Sequence, residues 1–514
     1  MLEKEEIPQY DDAGKVVSVT CKYRNAVFTV FEDDLYAELY NAYCHDSGEQ
    51  ISDEGARSFR EEVLKRNSQS SDVIILYSMR LGINSIISLA NSVICRRLVK
   101  LNIADNAVSD YGMHHIRSIL ESTQLEYLNL TSNMISGNRL ETIAEAISNH
   151  KTIRVLDVSV TQLGIHKGSM RKNSLGVNGA MWISNFLLKN TSIETLILED
   201  NDVGSSGGEC IDLALTQCTQ LKHLTVSENE LNTEGAVHIL RNAGQLESLD
   251  LSKNYIKSEA GPVIDRLLSK PRTQQNLKKL CLEYNELLHA GAQHIAKGLR
   301  ANTTLEVLNL KGNVLGDDGV AYVVNALQTN STLLDLNLAL NEIGPIGASE
   351  IAHVLPYTSL RKLNLRKNFL GDEASAVFSE VLANTEGQCK LQALDMSSCR
   401  IGDDGIVQFF AAIASNKFLK AVDFRDNFVS ERAELSLLDY LDANGSLQKV
   451  QLAGNRLSHS CLKKIKKICE RNRKEFEDAE PNRLKNETYR LKYEQTKLNE
   501  AREKLSRQIG VSPT

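Results

Sequence analysis

The chain has 514 residues, with 59 Lys and Arg against 66 Asp and Glu and a formal net charge of −7. A duplex nucleic-acid binder normally carries a basic stripe, so this balance argues against a nucleic-acid partner. No stretch approaches the roughly 18 apolar residues that a membrane span needs, and the opening MLEKEEIPQYDDAG is acidic with no apolar core, so neither a span nor a signal peptide is expected.

The ten cysteines (Cys21, Cys44, Cys95, Cys210, Cys218, Cys281, Cys389, Cys399, Cys461, Cys469) are scattered without a C-x-x-C pair, as reduced thiols of a cytosolic protein would be. Matches to N-x-S/T such as Asn129-Leu130-Thr131 then read as chance.

Residues 1–70 lack the period that fills the rest. Val16–Phe31 is β-branched and aromatic and predicts two short strands turning at Arg24-Asn25. Asp33–Cys44 and Ser52–Leu64 suit helices, the second starting at a Ser/Asp cap. An open repeat array exposes its first apolar layer, so residues 1–70 are read as an N-terminal cap. A small separate binding module is the alternative.

From residue 71 to 458 one unit recurs. Leu305, Leu308, Leu310, Asn313 and Leu315 return 28 residues later as Leu333, Leu336, Leu338, Asn341 and Ile343. A degenerate unit holds Ile74, Leu76 and Leu81; clear ones begin at Leu98, Leu125, Ile153, Ile193, Leu221, Leu246, Leu277, Leu305, Leu333, Leu360, Leu391, Leu419 and Leu447. The pattern L-x-x-L-x-L-x-x-N-x-L predicts a short strand, with the Asn side chain satisfying backbone groups where the chain leaves it. Asn106, Asn133, Asn201, Asn229, Asn254, Asn285, Asn313, Asn341, Asn368, Asn427 and Asn455 fill that place, and Thr161 and Cys399 replace it in two units.

Segments such as Gly316–Gln328 and Gly402–Ala414 put Asp first and apolar residues three and four apart, predicting capped amphipathic helices. This unit resembles the ribonuclease-inhibitor-like class of leucine-rich repeat. The resemblance implies an α/β fold: a right-handed leucine-rich-repeat solenoid, parallel β-sheet concave and α-helices convex, of 13–14 repeats, with an N-terminal cap and a C-terminal helical tail.

One unit is long. From Ile153 to Ile193 there are 40 residues, twelve more than usual, and the excess is placed near Gly164–Leu175. His166, Lys167, Arg171 and Lys172 make it a basic loop, either a tolerated surface insertion or a contact for an acidic partner or phosphate. Residues 459–514 read as the tail. Leu462, Ile465 and Ile468 are placed to cover the last repeat, and Pro481 interrupts the helix. Leu484, Leu491, Leu498 and Leu505 then fall seven apart, a weak coiled-coil seam that can dock on a partner, pair with another helix or fold back.

H-E-x-x-H, G-x-S-x-G and kinase-type sets are absent, and the one close histidine pair, His114-His115, reads as a solvated face. No catalytic residue, metal site or cofactor is expected. Alternation along the strands puts Tyr127, Glu199, Asp200, Glu228, Glu283, Tyr284 and Lys311 on the concave face, followed by Lys362, Arg366, Lys367, Arg425 and Asp426. The charge passes from acidic to basic along the arc, which suits the orientation of an elongated protein partner.

Three functions fit this layout. The first is a non-catalytic interaction scaffold, binding protein partners through the concave face and the C-terminal helix as a subunit of a larger complex. Its solenoid-plus-tail layout is similar to leucine-rich-repeat proteins of cilia, flagellar axonemes and centrosomes, implying a cytoplasmic, cytoskeletal location. The second is a Ran-type GTPase-activating protein, which uses the same repeat class; that family's N-terminal arginine motif and long acidic tail are not matched here. The third is an inhibitor or innate sensor. Ribonuclease inhibitors are richer in Cys and Trp than this chain with its single Trp182, and no nucleotide-binding module occupies residues 1–70.

Overall fold

A computed structural model describes residues 5–10, 16–23, 26–67, 72–93, 98–160, 172–383 and 389–478, with side chains from Tyr36 onward. The chain divides into two compact units, Met1–Asn337 and Leu338–Thr514.

The first unit opens with an antiparallel sheet. Val16–Tyr23 and Ala26–Phe31 pair as the sequence predicts, with Ser18 opposite Phe31. A third strand, Glu5–Tyr10, joins from the acidic N-terminal stretch. Helices Glu32–Ser47 and Asp53–Arg66 follow, the second capped by Ser52, whose Oγ accepts from the Gly55 N–H at 3.1 Å. Asp46 fixes the first helix to the repeats: its carboxylate accepts from the N–H groups of Gly82, Asn84 and Ser85 at 2.8, 3.1 and 2.9 Å. These donors open the helix Ile83–Val93, where a carboxylate also meets the positive end of the helix dipole. Burial opposes ionisation of Asp46, but hydrogen bonds from Ser85 and Asn84 outweigh it and hold the carboxyl below its usual range.

Asn67 completes the start. Its Oδ1 accepts from the Ile75 N–H at 2.6 Å and its Nδ2 donates to the Ile75 carbonyl at 3.2 Å, covering backbone groups of the first repeat strand, Val73–Ile75.

Ten three-residue parallel strands then alternate with helices, from Val73–Ile75 to Asp335–Asn337. Pairing holds pattern residue against pattern residue: Leu249 lies level with Leu224 and Leu280, and Leu308 with Leu280 and Leu336. In most of these strands the middle residue is buried and its neighbours less so, because alternation sends that side chain under the sheet. The helices close the other side. Those of adjacent repeats pack tightly where small residues meet: a Cβ on Gly208 would lie 2.7–2.9 Å from the Gly235 backbone, between helices Gly204–Leu215 and Asn232–Asn242.

The second unit carries parallel strands Lys362–Asn364, Ala393–Asp395, Ala421–Asp423 and Lys449–Gln451, with helices between them. Its core includes an aromatic cluster in which the Phe409 and Phe424 rings lie 4.9 Å apart, centroid to centroid. These strand–helix units are an α/β leucine-rich-repeat solenoid.

Buried asparagines hold the repeats together. The Asn229 Oδ1 accepts from the N–H groups of Asn201 and Val203 in the preceding repeat (3.0 and 3.3 Å), while its Nδ2 donates to the Leu198 and Ser227 carbonyls, both at 2.8 Å. In the long repeat this place belongs to Asn173, not Thr161. Asn173 accepts from the Asn133 and Ile135 N–H groups and donates to Leu130, Val158 and Ser159. The twelve extra residues are therefore 161–172, inserted before the ladder asparagine, slightly earlier than the spacing suggested. Cys399 does occupy its ladder place, with Sγ 3.2 Å from the Leu365 carbonyl.

A second buried row was not foreseen. Asn190, Asn302, Asn330, Asn416 and Asn444 stand just beyond the ends of five helices, and Asn472 lies within a sixth. Asn330 Nδ2 donates back to the carbonyls of Leu299 and Asn302, and its Oδ1 accepts from the N–H groups of Thr332 and Leu333. Four of these asparagines begin N-x-S/T triplets, so the triplets recur because the turn uses them.

The row continues into a helix at 459–478, where Asn472 donates to the Asn444 and Leu447 carbonyls at 2.7 and 3.0 Å. The buried stripe of this helix is Cys461, Ile465, Cys469 and Asn472, whereas Leu462 and Ile468, expected to cover the last repeat, are half-buried. Leu484, Leu491, Leu498 and Leu505 lie outside the described residues.

Candidate partner-binding sheet face

The open face of the sheet presents residues of each strand and of the turn that follows. The expected surface residues fall in three different places. Tyr127 begins a strand, whereas Glu199, Glu283, Lys311, Arg366 and Arg425 stand two residues beyond one. Asp200, Glu228, Tyr284 and Lys367 come one residue later, with φ of 55°, 53°, 51° and 56°. That left-handed turn is needed to aim the next residue, the ladder asparagine, inward; Gly312 fills the same place with φ of 68°.

Most charges in the first unit are matched by neighbours. Lys172 meets Asp200 at 3.0 Å, Lys253 pairs with Glu228, and Lys311 pairs with Glu283. Glu283 also accepts from the Asn309 Nδ2 at 2.8 Å. Lysines cover both tyrosines, Lys100 over Tyr127 and Lys311 over Tyr284, each with Nζ 4.6 Å from the ring centroid. Glu199 differs: burial, then the nearby Glu228 and Asp250, push its carboxyl above the usual range, against the pull of Lys253.

In the second unit Arg425 is held by Asp423, its Nε 3.0 and 2.9 Å from the two carboxylate oxygens. Lys367 is exposed. Arg366 is half-buried, and its Nε is shielded from solvent with no hydrogen-bond partner.

The last residue of many strands carries a polar column missed in the sequence. Asn129, Asp157, Asp250, Asn309, Asn364, Asp395 and Asp423 each accept from the N–H two residues on, at 2.9–3.1 Å. The signal was a recurring Asn or Asp directly after the strand leucine, as in LDLS and LDMS.

Of the basic insertion only Lys172 is described, bound to Asp200; His166, Lys167 and Arg171 lie outside the described residues. His114 is exposed and His115 half-buried. Among the described residues no group of three His, Cys, Asp or Glu is placed to hold a metal ion, and no helix is long and apolar enough to cross a membrane.

On the helix side a groove of about 690 Å³ lies over the nine-residue helix Glu141–Asn149, beside the longer Ser109–Ser122 and Gly176–Leu187, with Trp182 in its lining. Its Arg117 is already engaged, 2.7 Å from Glu121 and 3.0 Å from Glu145.

Stacked units displaying a variable charged face define a repeat protein of the binding kind. A family model described as "Leucine Rich repeat" matches residues 189–211, 301–324, 329–352 and 387–409. The chain is 24% identical over 279 residues to "NACHT, LRR and PYD domains-containing protein 5" of Mus musculus, covering 53% of this chain and 21% of that protein. It is 25% identical over 212 residues to "Ribonuclease inhibitor" of Mus musculus, covering 40% and 43% of the two chains. With "Protein CARMIL" of Dictyostelium discoideum it shares 24% identity over 225 residues, 42% and 20% of the two chains. The chain thus spans less than half the length of these relatives.

The yeast Rad7 and Elc1 complex is similar at a TM-score of 0.45 and 14% identity, over 84% of this chain and 90% of that one. By its repeat unit and its sequence matches, the chain is similar to ribonuclease-inhibitor-like leucine-rich-repeat proteins. Leucine-rich-repeat proteins in general mediate protein–protein interaction.

Proposed function

We propose that the chain is a non-catalytic scaffold that binds protein partners on its sheet face and, through its C-terminal helical segment, attaches to a cytoskeletal assembly such as a cilium, axoneme or centrosome. The face carrying Tyr127, Glu199, Asp200, Glu228, Glu283, Tyr284 and Lys311 in the first unit, and Arg366, Lys367 and Arg425 in the second, is the partner surface. The observation that carries the reading is that, within each unit, buried asparagines tie repeat to repeat. A frame held this way keeps variable side chains in fixed positions, which lowers the ordering cost of binding. The solenoid followed by a helical segment supports the cytoskeletal part.

The test is extraction of tagged full-length protein from its own cells with detergent and then high salt. Retention in the cytoskeletal pellet, lost on deleting residues 480–514, supports an anchored scaffold; complete release into the soluble fraction overturns the cytoskeletal assignment.

A further inference from the structure

In the second unit, the residue after each ladder position lines one rim of the sheet. Phe369 and Phe428 stand there 46% and 66% exposed. Arg400 occupies the repeat between them, its guanidinium 4.3 Å from the centroid of the Phe369 ring. Backbone hydrogen bonds set this row: the Phe369 N–H donates to the Ile343 carbonyl and the Phe428 N–H to that of Ile401, both at 2.8 Å. The two rings are two repeats apart, roughly 10 Å at the usual spacing of neighbouring strands.

Beside the rim lies the unpartnered guanidinium. Hydrogen bonds from the Leu340 N–H to the Arg366 carbonyl and from the Lys367 N–H to the Ser397 carbonyl, each 2.9 Å, place Ala339, Arg366 and Ser397 level in successive repeats. Arg366 therefore sits between two small buried side chains, and its shielded Nε–H finds no acceptor. A buried donor left so calls for an explanation, and one is that Arg366, only half-buried as a whole, turns its guanidinium to meet an external acceptor. The acids nearby cannot serve: Asp395 accepts from the Ser397 N–H and hydroxyl, and Asp423 holds Arg425. Among the described carboxylates of these turns Glu342 and Asp426 face solvent, against Arg366, Lys367 and Arg400.

We propose that Arg366, Lys367, Phe369, Arg400 and Phe428 form a docking rim for an acidic segment of a protein partner. Carboxylates of the segment reach Arg366 and Arg400, while two apolar side chains pack on the phenylalanines. Aromatic residues and arginine are the types that concentrate binding energy in interfaces. A spacing of roughly 10 Å corresponds to apolar residues three apart in an extended segment or seven apart in a helix. The proposal rests on the scaffold reading and names the chemistry of its partner.

The test uses full-length protein and fluorescein-labelled peptides rich in glutamate, with leucines three apart in one and seven apart in the other. A lysine-for-glutamate version and a short DNA duplex are the comparison probes. Fluorescence anisotropy is expected to show a glutamate peptide binding, weakened about tenfold or more by Arg366→Ala or Phe428→Ala. Because Arg366 makes no side-chain hydrogen bond in the fold, Arg366→Ala is expected to leave the melting temperature unchanged or raise it.

No binding of either glutamate peptide, or binding indifferent to both substitutions, overturns the proposal. So does a lowered melting temperature for Arg366→Ala, which marks a structural role, or duplex binding through the same residues. A wild-type chain retained in the cytoskeletal pellet that binds neither peptide removes the rim and leaves the scaffold standing. A chain fully released that still binds the peptide removes the cytoskeletal anchor and leaves the rim.

Discussion

Asn173→Ala tests the ladder where the sequence pattern pointed elsewhere. Asn173 is 1% exposed. Its Oδ1 accepts from the Asn133 and Ile135 N–H groups at 2.9 and 3.0 Å, and its Nδ2 reaches the Leu130, Val158 and Ser159 carbonyls at 3.1, 3.0 and 3.2 Å. Alanine leaves two buried N–H groups with no acceptor and withdraws the donor from three carbonyls. At about 1 kcal/mol net per hydrogen bond, and about 1–3 kcal/mol for a donor left buried, the loss is about 3–5 kcal/mol.

Thr161→Ala, at the place the spacing selects, is expected to stay within about 0.5 kcal/mol of wild type. Urea unfolding followed by circular dichroism compares the two variants. Hydrogen exchange then reads the amides of Asn133 and Ile135, which should open in Asn173→Ala alone. If Thr161→Ala costs as much, or Asn173→Ala stays within about 0.5 kcal/mol, the ladder assignment is refuted.

Three further outcomes are expected. Cys399→Asn restores an amide where Sγ now makes only weak bonds to Leu365 and Ser397, and should stabilise the chain by about 1 kcal/mol in urea unfolding; a lowered midpoint refutes this. Burial chiefly pushes the Cys281 and Cys399 thiols up to about 12, so iodoacetamide at neutral pH should spare both in the native protein and label both in urea. Mass spectrometry finding either labelled in the native state contradicts that.

Asp46→Ala removes the cap on the helix Ile83–Val93 and should cost about 1 kcal/mol at neutral pH. The folded carboxyl titrates below its unfolded value, so the contribution is full above the ordinary carboxylate range and vanishes as pH falls through the folded value. The stability gap from wild type should therefore shrink below about pH 4; a gap that widens in acid sinks the explanation.

The repeat was legible because its period is local. Leucines at fixed offsets select a three-residue strand and a helix wherever they recur, and the degenerate start at Ile74 pairs level with Leu101 as the others do. The face of the helix at 459–478 was less legible. Leu462, Ile465 and Ile468 and the stripe Cys461, Ile465 and Cys469 both follow helical spacing, and only packing on the last repeat chooses between them. The insertion was misplaced for a related reason. Counting from the strand lands on Thr161, while the N-S-L-G at Asn173–Gly176, like N-V-L-G at Asn313–Gly316, marks where the turn resumes. The candidate surface was legible as a set of residues, since alternation names those that leave the core. Their division between strand starts, post-strand positions and left-handed turns was not.

What the sequence determined by itself is the repeating unit: where each strand lies, which leucines are buried, and that helices close the other side. These follow from periodicity within one unit. The tertiary structure alone decided which groups meet across units, such as Lys172 with Asp200, Lys253 with Glu228, Asn173 with Asn133, and Arg366 with no acceptor. Such partners stand tens of residues apart and come level only when neighbouring repeats stack in register. Whether a charge there is matched or left open depends on the side chain the next repeat supplies, which no local pattern specifies.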